Sequence, residues 1–117
     1  MQIETNKHLL AGLTAFGLTK KESLIYIIGL YLGSSTVIEL ARHAKLPRTT
    51  AYSILEPLVR EGIFHVGKRK KQTVYTAQAP SVLEQLFQKK TVFLSRNYRR
   101  IKYSISAQLS KNPYNHL

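Results

Sequence analysis

The chain has 117 residues and a formal net charge of +12, with 18 Lys and Arg against 6 acidic residues, all of them Glu. It contains no cysteine, which excludes disulfides and thiolate metal sites in this sequence, and its hydrophobic content of 44% is that of a globular rather than a disordered protein. The excess of positive charge favours a polyanionic partner, and nucleic acids and membrane surfaces both qualify.

The positive charge is concentrated in the second half of the chain. Residues 1–62 carry seven Lys and Arg against five Glu, a net charge of +2, whereas residues 63–117 carry eleven against Glu84 alone, a net charge of +10. The apolar run at residues 24–32 is too short to span a bilayer, and the N-terminus lacks the pattern of a secretion signal. We therefore expect a cytoplasmic protein, associated with the nucleoid, without a membrane partner.

Two helices are predicted before residue 33. The first covers about residues 6–16 and ends at Gly17. Thr19 and Glu22 have the spacing of a capping box, and the helix they open is apolar on nearly all sides, which predicts that it lies at the centre of the core. Gly29 should weaken this helix by about 1 kcal/mol relative to Ala, unless close packing uses the missing side chain.

A third and a fourth helix follow, joined by a tight turn. Thr36 and Glu39 form a second capping box, and this short helix fades at residues 43–44. Pro47 suits the first turn of the next helix. That helix has one apolar stripe and ends at Gly62, a typical left-handed cap; the stripe consists of Ala51, Ile54, Leu55, Leu58 and Val59. Because the stripe continues across Pro57, we predict a kinked but continuous helix.

The other side of the fourth helix is polar at its N-terminal turns. Arg48, Thr49, Tyr52 and Ser53 lie there. A helix anchored on one face, with a guanidinium and hydroxyls on the other, is how a helix-turn-helix reads the major groove of DNA. The alternative is an ordinary helical hairpin with a solvated face.

Residues 63–66 and 73–77 are rich in β-branched and aromatic residues and predict the two strands of a β-hairpin. The tip is predicted at residues 67–72 and carries four adjacent cations, Lys68, Arg69, Lys70 and Lys71. A charge run is often only a solvated surface. Directly after a recognition-helix candidate, it favours contact with DNA phosphates or the minor groove.

Ser81 and Glu84 form a third capping box, and no helix breaker follows until residues 112–113. The predicted long helix, about residues 82–110, has one apolar stripe that suits pairing with a second copy; it consists of Leu83, Phe87, Leu94, Tyr98, Ile101, Ile105 and Leu109. The alternative is that this helix folds back on the first one. A set of cations off the stripe would extend the basic surface: Arg96, Arg99, Arg100 and Lys102.

Three segments resemble the N-terminal domain of the TrmB family of sugar-responsive transcriptional regulators: residues 17–22, residues 46–55 and residues 58–63, with Tyr75 and residues 79–80 also fitting. The resemblance covers about residues 9–90. It implies a homodimer that binds palindromic operators in archaea or bacteria, with Arg48, Thr49, Thr50, Tyr52 and Ser53 at the groove. Members of that family usually continue into a large sugar-binding effector domain, and no sugar-site residue carries over to this chain.

The sequence thus predicts a mainly α fold with a small β-hairpin wing, a winged helix-turn-helix followed by a long C-terminal helix. Its parts would be a DNA-binding domain at residues 1–80, a dimerisation helix at residues 81–111 and a flexible tail at residues 112–117. Lys45, in the turn before the fourth helix, joins the candidate DNA-binding residues.

A homodimeric transcriptional regulator on double-stranded DNA is the expected function. A sequence-tolerant architectural DNA-binding protein and a winged-helix interaction module in a transcription assembly are the alternatives. No catalytic constellation is present, and the histidines at positions 8, 43, 65 and 116 lack metal-ligand spacing. We therefore expect no enzyme activity, cofactor or metal.

Overall fold

The computed structural model describes residues 7–88 and Arg96. In chain order, residues 7–88 form the elements α1 (Lys7–Ala15), α2 (Lys20–Leu32), α3 (Val37–Ala44), α4 (Arg48–Arg60), β1 (Phe64–Arg69), β2 (Gln72–Ala77) and α5 (Pro80–Gln88). The predicted mainly helical architecture with one antiparallel hairpin is confirmed. None of the helices within residues 7–88 is long and apolar enough to cross a membrane.

Helix α2 is the centre of the core, as its apolar sequence predicts. Ile25, Tyr26 and Ile28 are each completely buried. The capping box that starts the helix is present in full: the Thr19 hydroxyl accepts from the Glu22 amide, and the Glu22 carboxylate accepts from the Thr19 amide. Two of the backbone donors at the start of α2 are therefore satisfied, which fixes where the helix begins.

Gly29 is the point of closest packing in α2. A Cβ atom at this position would lie 2.8 Å from two ring carbons of Phe64 and 3.2 Å from the Cβ of Ala77. The Phe64 ring is 1% exposed and meets the Tyr26 ring edge-on, with centroids 6.3 Å apart. The missing side chain thus lets the start of β1 and the end of β2 pack directly on the helix.

Helix α4 runs unbroken through Pro57, which confirms the predicted continuity. Leu55 and Leu58, on either side of the proline, are 1% and 0% exposed, so packing of the apolar stripe holds the helix together across the missing hydrogen bond. Gly62 has a φ of 82°, and the following Ile63 amide donates to the Leu58 carbonyl. This is the predicted left-handed end of the helix, and it turns the chain into β1.

The hairpin is joined to the helices through the segment between α2 and α3. Ser35 forms an isolated antiparallel bridge with Tyr75 of β2, in which each amide donates to the other's carbonyl at 3.0 and 2.7 Å. The Ser34 hydroxyl also lies 2.9 Å from the Thr76 hydroxyl. The strands are therefore fixed relative to α3 and α4, which is what positions a wing beside a recognition helix.

Helix α5 begins at Pro80, so Ser81 lies inside its first turn and the third predicted capping box is wrong. Proline starts the helix because the first helical residue needs no amide donor. The rest of the predicted long helix, after Gln88, and the predicted tail at residues 112–117 lie outside the described residues.

Candidate nucleic-acid interface

The turn between α3 and α4 places a lysine in a conformation that usually favours glycine. Lys45 caps α3 in the left-handed region, with φ 56° and ψ 44°, and its side chain is exposed. The following Leu46 amide donates to the Ala41 carbonyl at 3.0 Å, and Pro47 then opens α4. The compact turn puts the charge of Lys45 immediately before the first residues of α4.

Helix α4 is anchored by one face and presents the other, as predicted. Ala51, Leu55 and Leu58 are buried, whereas four of the five predicted recognition residues are exposed; these are Arg48, Thr49, Tyr52 and Ser53. Thr50 is half-buried and therefore set back from the others.

Two of the exposed side chains are oriented by contacts within α4. The Arg48 guanidinium carbon lies 5.7 Å from the centroid of the Tyr52 ring, within the range of a cation–π contact. The Ser53 hydroxyl donates to the carbonyls of Thr49 and Thr50 at 3.2 and 3.0 Å. Since its proton is used inside the helix, Ser53 offers its lone pairs outwards and acts as an acceptor.

The wing tip is narrower than the sequence predicts. The register pairs Lys68 with Thr73 and Arg69 with Gln72, so Lys68 and Arg69 belong to β1 and the turn consists of Lys70 and Lys71 alone. Their φ values of 51° and 69° are those of a type I′ turn, which matches the twist of a hairpin. The sequence does not predict a two-residue turn at Lys70 and Lys71, because type I′ turns usually contain Asn or Gly.

The four wing cations therefore differ in their surroundings. The Lys68 ammonium donates to the Thr73 hydroxyl at 2.8 Å. The Arg69 guanidinium donates to the Ser34 carbonyl at 3.4 Å and lies 3.6 Å from a Glu39 carboxylate oxygen, so it is held against the start of α3. Lys70 and Lys71 project at the tip, where no ion pair with another described residue holds them.

A groove of about 490 Å³ separates α4 from the wing. It is lined by Thr49, Tyr52, Ser53, Glu56 and Val59 of α4 and by Val66 and Tyr75 of the hairpin. Val66 and Tyr52 are 46% and 42% exposed, so the groove offers apolar and aromatic surface to a ligand. Burial raises the pKa of the Tyr75 phenol, and the nearby Tyr52 raises it further, so Tyr75 stays neutral at physiological pH. Sequence reasoning missed Glu56, Val66 and Tyr75, although Glu56 follows Tyr52 by four residues on the same helix face.

The predicted dimer contacts fall into two groups. Leu83 and Phe87 are 3% and 4% exposed within the chain itself, and the Phe87 ring stacks on Phe16 with centroids 4.6 Å apart. Neither side chain has much surface left for a second copy, and α5 packs on the α1 side of the core as in the folded-back alternative. The remaining stripe residues, Leu94, Tyr98, Ile101, Ile105 and Leu109, lie outside the described residues.

Arg96 does not extend the basic surface, contrary to the prediction, since it is 2% exposed. Its guanidinium donates to both carboxylate oxygens of Glu22, to Oε1 of Glu61 and to the Gly17 carbonyl, and its Nε forms an ion pair with Oε2 of Glu61. Four hydrogen bonds and the ion pairs with Glu22 and Glu61 thus hold the buried guanidinium. Arg96 thereby joins the start of α2 to the end of α4. Within the described residues, no cluster of three or more potential metal ligands is present.

Comparison with known proteins finds matches to the segment that forms the helices and the hairpin described above. A model of the family described as the sugar-specific transcriptional regulator TrmB matches residues 13–81, the segment from the end of α1 to the start of α5. The chain belongs to the TrmB family. It is 37% identical over 80 residues to the HTH-type sugar sensing transcriptional regulator TrmBL1 of Pyrococcus furiosus, an alignment that covers 68% of this chain and 24% of the relative. The chain thus spans about a quarter of the length of that TrmB protein.

Solved structures extend the likeness of the fold. An archaeal chromatin protein, TrmBL2, superposes with a TM-score of 0.62 at 23% identity, covering 88% of this chain and 41% of that one. The multiple antibiotic-resistance repressor MarR of Listeria monocytogenes superposes with a TM-score of 0.55 at 12% identity, covering 88% and 72%. At these identities the likeness shows the fold alone. This TrmB-family chain therefore has the winged-helix fold of DNA-binding transcriptional regulators.

Proposed function

We propose that this chain binds double-stranded DNA as a site-specific transcriptional regulator, with α4 in the major groove and the wing tip on the flanking backbone or in the minor groove. The observation that carries the proposal is the exposed polar face of α4, with cations at both sides of it. Lys45 lies before its first turn, and Lys70 and Lys71 lie at the tip of the adjacent hairpin. Membership of the TrmB family supports the regulatory role.

Arg48 is the candidate for a guanine contact. It is the first residue of α4 and exposed, and the Tyr52 ring orients its guanidinium. An arginine that forms two hydrogen bonds with guanine O6 and N7 contributes about 1–3 kcal/mol of discrimination. Replacing Arg48 by Ala should therefore weaken binding to the preferred sequence more than to others. An equal loss on all sequences would assign Arg48 to phosphate contact instead.

The wing contribution can be measured from the salt dependence of binding. Each lost phosphate contact lowers the slope of log K against log salt by about 0.9. Replacing Lys70 and Lys71 together by Gln should lower the slope by up to about two units. Lys20 and Lys21, exposed in the first turn of α2, provide a control with the same change in charge. If both double variants change the slope equally, the wing has no special role.

The proposed active form is a homodimer that pairs through the segment after α5. The support is the spacing of Leu94, Tyr98, Ile101, Ile105 and Leu109 in the sequence. Replacing Leu94 by Lys should give monomers in light scattering. Replacing the adjacent Ser95 by Lys adds the same charge off the stripe and should leave the dimer intact. An unchanged dimer in the Leu94 variant would contradict pairing through this stripe.

Selection of bound sequences from a random duplex library at moderate salt tests the whole proposal. Enrichment of a two-fold symmetric motif is expected, with half-sites about 34 Å apart. Strong retention without enrichment would instead support the architectural function that the +12 charge also suits. Absence of retention would favour an interaction module.

A further inference from the structure

The recognition face of α4 contains a carboxylate. Glu56 is exposed and lines the groove between α4 and the wing, beside Tyr52 and Ser53. Arg48, Tyr52 and Glu56 follow one another at intervals of four residues, so they share one helix face over about 12 Å, a distance similar to the width of the major groove.

Glu56 differs from most of the other described glutamates. Glu22 and Glu61 are paired with Arg96, and Glu39 lies 3.6 Å from Arg69. Arg60 is four residues after Glu56, a spacing that suits an ion pair within a helix, yet no ion pair or hydrogen bond joins the Glu56 carboxylate to any residue from 7 to 88. Its negative charge is therefore directed at whatever enters the groove.

A free carboxylate on this face repels every phosphate that approaches it. The repulsion weakens binding to all sequences alike, so a surface that only coats the DNA backbone gains nothing from it. The carboxylate becomes favourable only where the duplex presents a hydrogen-bond donor. In the major groove the donors are the amino groups of cytosine N4 and adenine N6.

We propose that Glu56 is a specificity-determining residue that accepts a hydrogen bond from cytosine N4 in each half-site. Cytosine is preferred over adenine because the adenine ring carries the acceptor N7 beside its N6 amino group, which repels a carboxylate, whereas the cytosine ring has only a C–H group in the corresponding place. The proposal rests on the proposed function, because it requires α4 to lie in the major groove.

Library selection with wild type, Glu56→Gln and Glu56→Ala tests the proposal. Glu84→Gln is the matched control, because Glu84 is exposed on α5 and its replacement changes the charge by the same amount. A glutamine favours adenine, with which its amide forms two hydrogen bonds. We expect Glu56→Gln to shift one position of each half-site from cytosine to adenine, and Glu56→Ala to reduce the cytosine preference there by roughly five- to tenfold. Equal thermal midpoints would show that the variants are folded.

The outcomes separate this inference from the function on which it rests. If wild type and all three variants select the same motif, and the Glu56 variants bind every sequence more tightly by the same factor as Glu84→Gln, Glu56 reads no base and only this inference fails. If wild type selects no motif, site-specific binding fails and the inference fails with it. A changed base at one position per half-site, seen only in the Glu56 variants, supports both.

Discussion

Replacing Gly29 by Ala should destabilise the protein, although alanine is the better helix former. The added Cβ would lie 2.8 Å from the Phe64 ring, well inside the 3.5–4.0 Å at which carbon atoms attract one another. The ring has little freedom to move, because it is 1% exposed and packs edge-on against Tyr26. The Cβ of Ala77, 3.2 Å away, closes the other side.

The magnitude follows from two opposing effects. Alanine is favoured over glycine in a helix by about 1 kcal/mol, whereas overpacking a tight core costs about 1–3 kcal/mol. The net effect of Gly29→Ala on the free energy of unfolding is therefore a loss of up to about 2 kcal/mol. Gly12, inside α1, has no atom of another described residue within 4 Å of the place that an added methyl group would take, apart from its chain neighbours and the α1 backbone, so Gly12→Ala should gain up to about 1 kcal/mol. The difference between the two variants, about 1–3 kcal/mol, measures the packing at Gly29.

Urea unfolding, monitored by circular dichroism at one protein concentration, gives the free energy of unfolding of each variant. For a domain of this size, 1 kcal/mol corresponds to a shift of roughly 4–8 °C in Tm. A Gly29→Ala protein as stable as Gly12→Ala would refute the reasoning, because the core would then accept the methyl group without cost. The double variant Gly29→Ala with Phe64→Leu should lose less stability than the sum of the two single losses, since the smaller side chain at position 64 removes the clash.

Three further predictions concern stability. Arg96→Met should lower the free energy of unfolding by about 3–5 kcal/mol, because it removes the cation that pairs with the buried Glu22 carboxylate, and Arg96→Lys should rescue it only in part because lysine has three donors. Tyr26→Phe should cost about 1 kcal/mol through loss of the 2.7 Å hydrogen bond to the Gln78 carbonyl. Burial raises the pKa of Tyr26 from 10.0 to about 12, so the wild-type contribution is complete below pH 10 and is lost as the pH rises towards 12. Replacing Lys70 by Asn and Lys71 by Gly should stabilise the hairpin by about 1 kcal/mol, because both positions have positive φ, while weakening DNA binding.

Each of these has an outcome that would contradict it. Arg96→Met as stable as wild type would mean that the buried ion pairs contribute nothing. Identical loss of stability above pH 10 in wild type and Tyr26→Phe would show that other groups cause it. A lower Tm for the Lys70–Lys71 double variant would mean that the two lysines are not strained in the turn.

Local rules gave most of the fold. The Thr19–Glu22 capping box, the apolar stripe of α4 and the left-handed Gly62 each depend on residues within one or two helical turns, so the sequence alone predicts them. The sequence predicts that close packing decides the effect of Gly29, but the packing partner, Phe64, is 35 residues away and only the structure identifies it.

The features that the sequence does not predict have three different physical reasons. The sequence predicts too long a wing turn because Lys70 and Lys71 adopt a conformation that their residue type disfavours, so no turn signal is present. The sequence does not predict the burial of Arg96, because its partners, Glu22 and Glu61, are 74 and 35 residues distant and leave no periodic pattern. Glu56 was overlooked because its charge has the opposite sign to that expected of a DNA-binding face.

The four hydrogen bonds of Arg96 also bear on where the autonomous folding unit ends. A chain cut after α5 would retain every helix and strand within residues 7–88, yet the buried Glu22 carboxylate would lose the guanidinium that pairs with it. The family match ends at residue 81, before this arginine. A fragment intended to keep α4 in its native position should therefore extend past residue 96.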